Sequence, residues 1–290
     1  VRHGTLETAM SANRNGIEGI DFAVVFACYN QLDYTRQFID SLKNTGMDFS
    51  RVVAVDNAST DDTRQYLESL NLGGKIFNSR NLGCGVAWNQ GALALQAEWT
   101  IIMNNDVIVA ADWLQNLVCA ARDNNLKIVS PALIEGPLDY DFQDFSRAAT
   151  ARMKTVLRAG GRHAVCLAVH SSVWMDIGYF RATPKLWGFE DTLFFHEADQ
   201  AGIPMGITGS SWLHHFGSIT VKAMKEERGL RGKQGLGARR NYRLLNQSWL
   251  ERKIKKMRLL KQRKNWRDQE VAEFGMSLHG LRKSGTFEWI

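Results

Sequence analysis

The stretch IIMNNDVIV, residues 101–109, sets three polar residues, Asn104, Asn105 and Asp106, between two apolar runs. A short apolar run closed by turn-forming residues reads as a strand buried on both faces. A carboxylate at the end of such a strand needs something charged beside it, because an unpaired buried charge is strongly unfavourable. Outward from this point the same unit recurs. Upstream, FAVVFA (22–27) precedes a segment with Phe38, Ile39 and Leu42 at helical spacing. RVVAVD (51–56) ends in the turn formers NASTDDT and precedes a helical pattern over 64–70. KIF (75–77) leads through NSRNLGCG into a helix reaching Ala97. Downstream, a helix over 113–121 and the strand KIVS (127–130) come before Pro131. Four or five strand–helix alternations predict an α/β fold, a doubly wound, mainly parallel Rossmann-like sheet. Ligands of such sheets sit beyond the carboxyl ends of the strands, where Asn30, Asp56 and Asp106 all fall.

The rest of the chain is less periodic. Residues 1–20 are polar and rich in Gly and Asn, and read as a flexible leader. Residues 21–220 read as the catalytic domain, with a ligand-binding half over 21–131 and a second half over 132–220. Over 135–162 the pattern lapses, and a long loop covering the site is expected. HAVCLAV then resumes a strand, and SSVWMDIGYF reads as a helix ended by Gly178. Residues 221–290 read as a basic helical extension, with Leu250, Ile254, Met257 and Leu260 close to one face.

At 290 residues and 44% hydrophobic content the chain has material for a sizeable core. Its longest apolar runs fall far short of the ~20 residues of a membrane span, and no secretory h-region is visible. Cys28, Cys84, Cys119 and Cys166 have no paired spacing, which argues for reduced thiols in a cytoplasmic chain without a zinc site. The net charge of +6 is uneven: residues 222–267 hold 17 Lys plus Arg against 3 Glu. Such a segment suits a solvated helix face, or a phosphate, anionic lipid or nucleic-acid partner.

Five clusters carry candidate chemistry. Asp56 ends a strand, where a carboxylate accepts hydrogen bonds from a base or ribose, or else closes a turn. In NSRNLGCGVAWNQG, Gly83 and Gly85 allow close backbone approach at a helix N-terminus, or equally close helix packing. Trp88 stands where a dinucleotide fingerprint needs its third glycine. Asp106 is placed to hold a divalent cation, since hard cations take oxygen ligands. In LWGFEDTLFFHE, Asp191 beside Glu190 is a candidate general base, or the pair belongs to a helix first turn favoured by the dipole. In WLHHFGSIT, His214 or His215 is a candidate metal ligand; His163, His170 and His196 read as structural.

Taken in order, these elements resemble the inverting GT-A glycosyltransferases of family 2, with rhamnosyl- and galactosyltransferase-like features over about residues 22–220. FACYN is similar to the first strand and its nucleotide-contacting loop, and VDNASTDDT to the family's V-D-[DN]-x-S-x-D-x-[TS] segment. NLGCGVAWNQG is similar to an N-x-G-x-x-x-x-x-N-x-G loop, NND stands at the metal-binding D-x-D, WGFED resembles W-G-x-E-D, and HHFG resembles a late H-x-x-G. The resemblance implies a hexosyl- or deoxyhexosyltransferase moving sugar from a UDP-, GDP- or dTDP-sugar to an acceptor hydroxyl on a glycan, glycolipid or polyanionic polymer. It implies Asp191, with Glu190 beside it, as catalytic, and Asn30, Asp56, Asn81, Gly83, Asn104 and Asn105 at the donor. It also implies Trp187 and Gly188 at the acceptor, and Mn²⁺ or Mg²⁺ on Asp106 and His214, which fits the H-x-x-G spacing better than His215. Three features depart from the pattern: Asn104 replaces the first aspartate of D-x-D, TLFFHE replaces D-x-x-x-R, and the basic segment has no counterpart. His170 also stands where an Arg is usual. A nucleotidyltransferase on the same sheet, and a nucleic-acid-binding or -modifying protein using the basic C-terminus, are the rival readings. Peripheral contact with the inner face of a membrane through that segment is a further expectation.

Overall fold

The computed structural model describes residues 19–181, 189–227 and 244–290. Almost all of the leader, and Trp187 and Gly188, lie outside the described residues.

Strand β1 (Phe22–Cys28) is buried at every position. Its alternate residues feed two separate apolar layers. Phe22, Val24 and Phe26 meet α1 (Leu32–Lys43) through Phe38, Ile39 and Leu42. Val25 and Ala27 face the layer that holds Trp88 of α3 (Cys84–Ala94) and Phe194 of α7 (Glu190–Gln200). A strand with helices on both faces has no solvent side, which is why it reads as a continuous apolar run rather than an alternating one.

Strands β2 (Val52–Asp56), β3 (Gly74–Phe77) and β4 (Trp99–Asn104) extend the parallel part of the sheet, with α2 (Thr63–Ser69) between β2 and β3. Their register sets Cys28 against Asp56 and Ala27 against Asn104, so three strands end in one row. Asp56 and Asn104 therefore stand about two strand spacings apart, roughly 10 Å.

Beyond β4 the sheet becomes mixed. The chain leaves the row through Asn105 and Asp106 into β5 (Val107–Val109), and α4 (Trp113–Asp123) leads to β6 (Ile128–Glu135). Antiparallel β8 (Cys166–His170), which runs into α6 (Ser171–Ile177), inserts between β4 and β6. The long β9 (Met205–His215) pairs with β6 and, at its end, with β5. Pro131 lies inside β6, at the register shift against β9, where a missing N–H is tolerated.

The segment 135–162 is not a structureless loop. It holds α5 (Phe142–Met153) and β7 (Leu157–Ala159). Asp141 caps α5 by accepting from the Asp144 amide, and Phe142, Ser146, Ala149 and Met153 are buried. Two of those four are small or polar, so the helical period is faint in the sequence. The C-terminal helical extension is present: α8 (Ile219–Glu227) comes first and α9 (Trp249–Phe274) follows, opened by a Ser248–Glu251 capping box and closed by Gly275 in the left-handed region. A hairpin then adds β10 (His279–Lys283) to β6 and β11 (Thr286–Trp289) to β10. The extension is thus stitched into the main sheet, which its helix-rich composition does not show.

Candidate active site

Asp106 meets His215. The β5–β9 register sets Val107 opposite His215 and Ile108 opposite His214, so the two histidines project to opposite faces. His215 Nε2 lies 3.3 Å from Asp106 Oδ1, while Asp106 Oδ2 accepts from the Ile219 amide opening α8. Behind it, Glu135 Oε1 is 3.8 Å from His215 Nδ1 and 3.4 Å from His279 Nε2 of β10. Burial disfavours the imidazolium of His215, but the nearby carboxylates of Asp106 and Glu135 outweigh it and lift the pKa to about 9. The same contacts from His215 and His279 hold the Glu135 carboxyl far below its usual range.

His214, the histidine favoured by motif spacing, points the other way. It is fully buried, its Nδ1 lies 3.0 Å from the Tyr140 hydroxyl, and Tyr140, Phe142 and Phe216 surround the ring. Burial pushes its pKa down to about 4, so it is a neutral core imidazole. Pairing with Asp106 passes from His214 to His215, because a strand turns neighbouring side chains to opposite faces.

The three polar residues of the opening stretch separate in the same way. Asn104 faces the cleft described below. Asn105 is buried and donates from Nδ2 to Thr35 Oγ1 of α1 at 2.8 Å, away from the cleft. Its side chain secures the crossover instead of reaching for a ligand.

The loops that follow β1 and β2 are braced against each other. Asn30, at φ 54°, accepts from the Thr60 amide at 2.7 Å and donates its own amide to Ser59 Oγ at 2.7 Å. Ser59 in turn donates amide and hydroxyl to the Asp56 carboxylate, which is 1% exposed. Asp56 thus builds the turn that carries Thr60 and braces Asn30, and its oxygens do not line the cleft. Asn81 accepts from the Gly83 amide at 3.0 Å, and Gly83 at φ 88° delivers the chain into α3. Gly85 has a different reason: a Cβ there would lie 3.0 Å from Glu190 Cβ. Asn89 clamps α3 to the backbone of Phe180 in both directions, at 2.7 and 3.0 Å.

Glu190 and Asp191 form the first turn of α7. Glu190 is buried against Gly85 and accepts from the Phe189 amide at 3.0 Å. Asp191 accepts from the Thr192 amide at 2.6 Å, yet burial dominates and raises its pKa. Both carboxylates, with Asn104, Glu135 and His215, line a cleft of about 880 Å³, a size suited to a ligand larger than a single sugar. Cys84, on the cleft wall, reports their convergence. Its thiol is pushed well up, first by desolvation and then by Glu190, Asp106 and Asp191.

The opposite wall is α9. Arg252, Lys256 and Arg263 line the cleft from it, and Arg162 lines it as well. Arg162 is held by Asp199 of α7, which also takes Lys255. The sequence marks these residues as basic but does not locate them. Glu135 closes a strand as Asp106 does, a signal visible in the sequence; His279 carries none, because its strand lies in a segment of helix-rich composition.

The family model described as Glycosyl transferase family 2 matches residues 23–183, more than half of the chain. The chain belongs to glycosyl transferase family 2. The putative glycosyltransferase EpsH of Bacillus subtilis (strain 168) is 25% identical over 104 residues, 35% of this chain and 30% of that protein. S. aureus TarS 1-349 in complex with UDP superposes with a TM-score of 0.53 at 19% identity, over 71% of this chain and 64% of that one. The mannosyltransferase PcManGT from Pyrobaculum calidifontis, solved with GDP-Man and Mn²⁺, gives 0.52 at 19%, over 73% and 62%. The chain thus spans less than two thirds of each of these relatives. At such identities the likeness establishes the fold, the GT-A arrangement of this family.

A divalent cation fits the family 2 cleft on the chemistry of its donors. Asp106 offers a carboxylate oxygen and His215, once its proton is displaced, an imidazole nitrogen 3.3 Å away, a mixed oxygen and nitrogen pair within reach of one divalent cation. No cluster of three or more ligating side chains occurs among the described residues.

Proposed function

We propose that this family 2 cleft moves a sugar from a nucleotide-sugar donor to an acceptor hydroxyl, inverting the anomeric centre. One observation carries the reading: His215, paired with the buried Asp106, and Asp191 line one cleft beyond the strand ends, on different elements. The loops built around Asn30, Asp56, Asn81 and Gly83 take the base and ribose of the donor, and Asn104 faces the diphosphate. Asn105 supports this set from behind through Thr35. Bound at Asp106 and His215, Mn²⁺ or Mg²⁺ supplies neutralisation of the charge on the leaving diphosphate.

Asp191 takes the proton of the acceptor hydroxyl as that oxygen attacks the anomeric carbon. Burial makes it a stronger base than an exposed aspartate. Glu190 is a positioning residue: its contact with Gly85 fixes the first turn of α7 and hence the reach of Asp191. A single displacement needs no enzyme nucleophile. Trp187 and Gly188, just before α7 in sequence, are proposed to hold the acceptor sugar.

The test is a donor screen. UDP-, GDP- and dTDP-sugars are incubated with Mn²⁺ or Mg²⁺, and release of the nucleoside diphosphate is scored before and after chelation. Release that stops on chelation is expected. Pyrophosphate release from a nucleoside triphosphate would identify the nucleotidyltransferase reading, and release indifferent to chelator would remove the cation.

A further inference from the structure

Helix α9 presents two faces. Their spacing suggests that Leu250, Ile254 and Met257 pack on the body of the protein, but they are 58%, 41% and 61% exposed. The buried residue of this helix is Glu270, near its far end. At 3.6 residues per turn these three side chains fall within an arc of roughly 60°. The cleft-lining residues occupy the remaining arc, centred roughly 150° away on Arg252, Lys256, Leu259 and Arg263, with Trp249, Lys253 and Lys255 towards its edges; none of the three apolar residues is among them. The apolar stripe is therefore no part of the cleft. Lys261 continues it, and Arg258 and Lys264 flank it. Over residues 249–264 the helix holds eight Lys or Arg and one Glu.

We propose that this outer face of α9 docks on an anionic phospholipid bilayer. Leu250, Ile254 and Met257 enter the acyl boundary, and Arg258, Lys261 and Lys264 meet lipid phosphates. Charge selects this occupant. A second copy related by a two-fold axis would bring the same cations face to face. A nucleic acid would satisfy the cations but leave the apolar stripe in water. An anionic bilayer satisfies both, which is the physical basis of interfacial helices. No helix among the described residues is long and apolar enough to cross a membrane, so the contact is peripheral.

Docking has a consequence for the cleft, which lies on the other side of the same helix, about 10–12 Å across. An acceptor anchored in that bilayer would reach the cleft without leaving the surface. This consequence alone rests on the proposed sugar transfer; the docking does not.

The experiment is co-sedimentation of the full chain with vesicles of phosphatidylcholine, and of phosphatidylcholine with about one third phosphatidylglycerol. Partition onto the anionic vesicles is expected to be at least about tenfold stronger. The L250S/I254S/M257S triple variant keeps every charge and is expected to lose at least about tenfold. Circular dichroism checks that the variant retains its helices. The proposal is overturned if the intact chain ignores anionic vesicles, or if the folded triple variant binds them equally well. Dimerisation by light scattering that the triple variant abolishes would give the stripe to a second copy instead. Binding to an RNA or DNA oligomer that anionic vesicles fail to displace would give the cations to nucleic acid. Because no turnover is measured, failure of the transferase reading leaves this result untouched.

Discussion

Replacing His214 and His215 separately by alanine should give two different phenotypes from adjacent residues. His214 is fully buried and hydrogen-bonds Tyr140 at 3.0 Å. Its removal leaves a cavity among Tyr140, Phe142 and Phe216 and strands the Tyr140 hydroxyl. Aromatic-to-alanine truncation together with a lost buried partner costs about 3–5 kcal/mol. For a chain of this size that lowers Tm by roughly 5–8 °C. The folded fraction of His214→Ala should still respond to Mn²⁺ with a normal half-saturation. His215→Ala instead removes the imidazole between Asp106 and Glu135 and leaves two carboxylates facing each other. On the proposed role of His215 as a cation ligand, turnover per folded molecule should fall by at least about 100-fold at fixed metal, more than the 10–100-fold that supporting contacts are worth. Calorimetry gives the first quantity, and donor turnover over a Mn²⁺ titration gives the second. A His214→Ala enzyme that loses its metal response, beside a His215→Ala enzyme that keeps it, would refute the assignment of faces in β9.

Asp191→Asn should abolish transfer while raising Tm slightly at neutral pH. Burial raises the carboxyl pKa, so the folded chain holds a proton that the unfolded chain has already lost, and stability falls as pH rises through that window; an amide escapes this. His163 and His214 act at the acid end. Burial, chiefly, holds each at about 4, so the unfolded chain protonates first near 6.5 and stability declines below that pH, by up to about 2.7 kcal/mol per pH unit for two protons. Urea melts at pH 5 and 7 measure it; equal midpoints would contradict the buried neutral state. Glu270→Ala strands Arg158 in the buried pair that ties α9 to β7, at a cost of about 3–5 kcal/mol. An Arg158→Met, Glu270→Leu double variant should recover most of that loss in the same melts. Gly91→Ala would set a Cβ 2.2 Å from Val25 Cγ1, and overpacking of this kind costs about 1–3 kcal/mol. Val25→Ala added to it should restore part of the midpoint, and a milder single variant would mean that α3 can move off β1.

Part of the site is legible in the sequence, and the parts that are not have specific physical causes. Asp106, Glu190 and Asp191 stood out as carboxylates beside apolar segments, and the structure sets all three around Cys84. Asp56 stood out by the same rule, yet its oxygens turn into the Ser59 turn. A strand-end carboxylate has the same sequence signature whether it faces ligand or loop. Helix α5 was missed because Ser146 and Ala149 carry the buried face. The C-terminal hairpin was missed because its neighbour β6 lies about 145 residues earlier in the chain.

By itself the sequence determined the alternation of strands and helices, the positions where polar residues interrupt apolar runs, and the excess of cations near the C-terminus. Those are local properties, set by period, turn chemistry and composition. Tertiary structure alone decided which neighbour each side chain faces: His215 over His214 at Asp106, Asn105 toward Thr35, and α9 with one face on the cleft and the other in solvent. Facing depends on the register of strands distant in the chain and on the roll of a helix against its support. Neither leaves a periodic mark on the residues that undergo it.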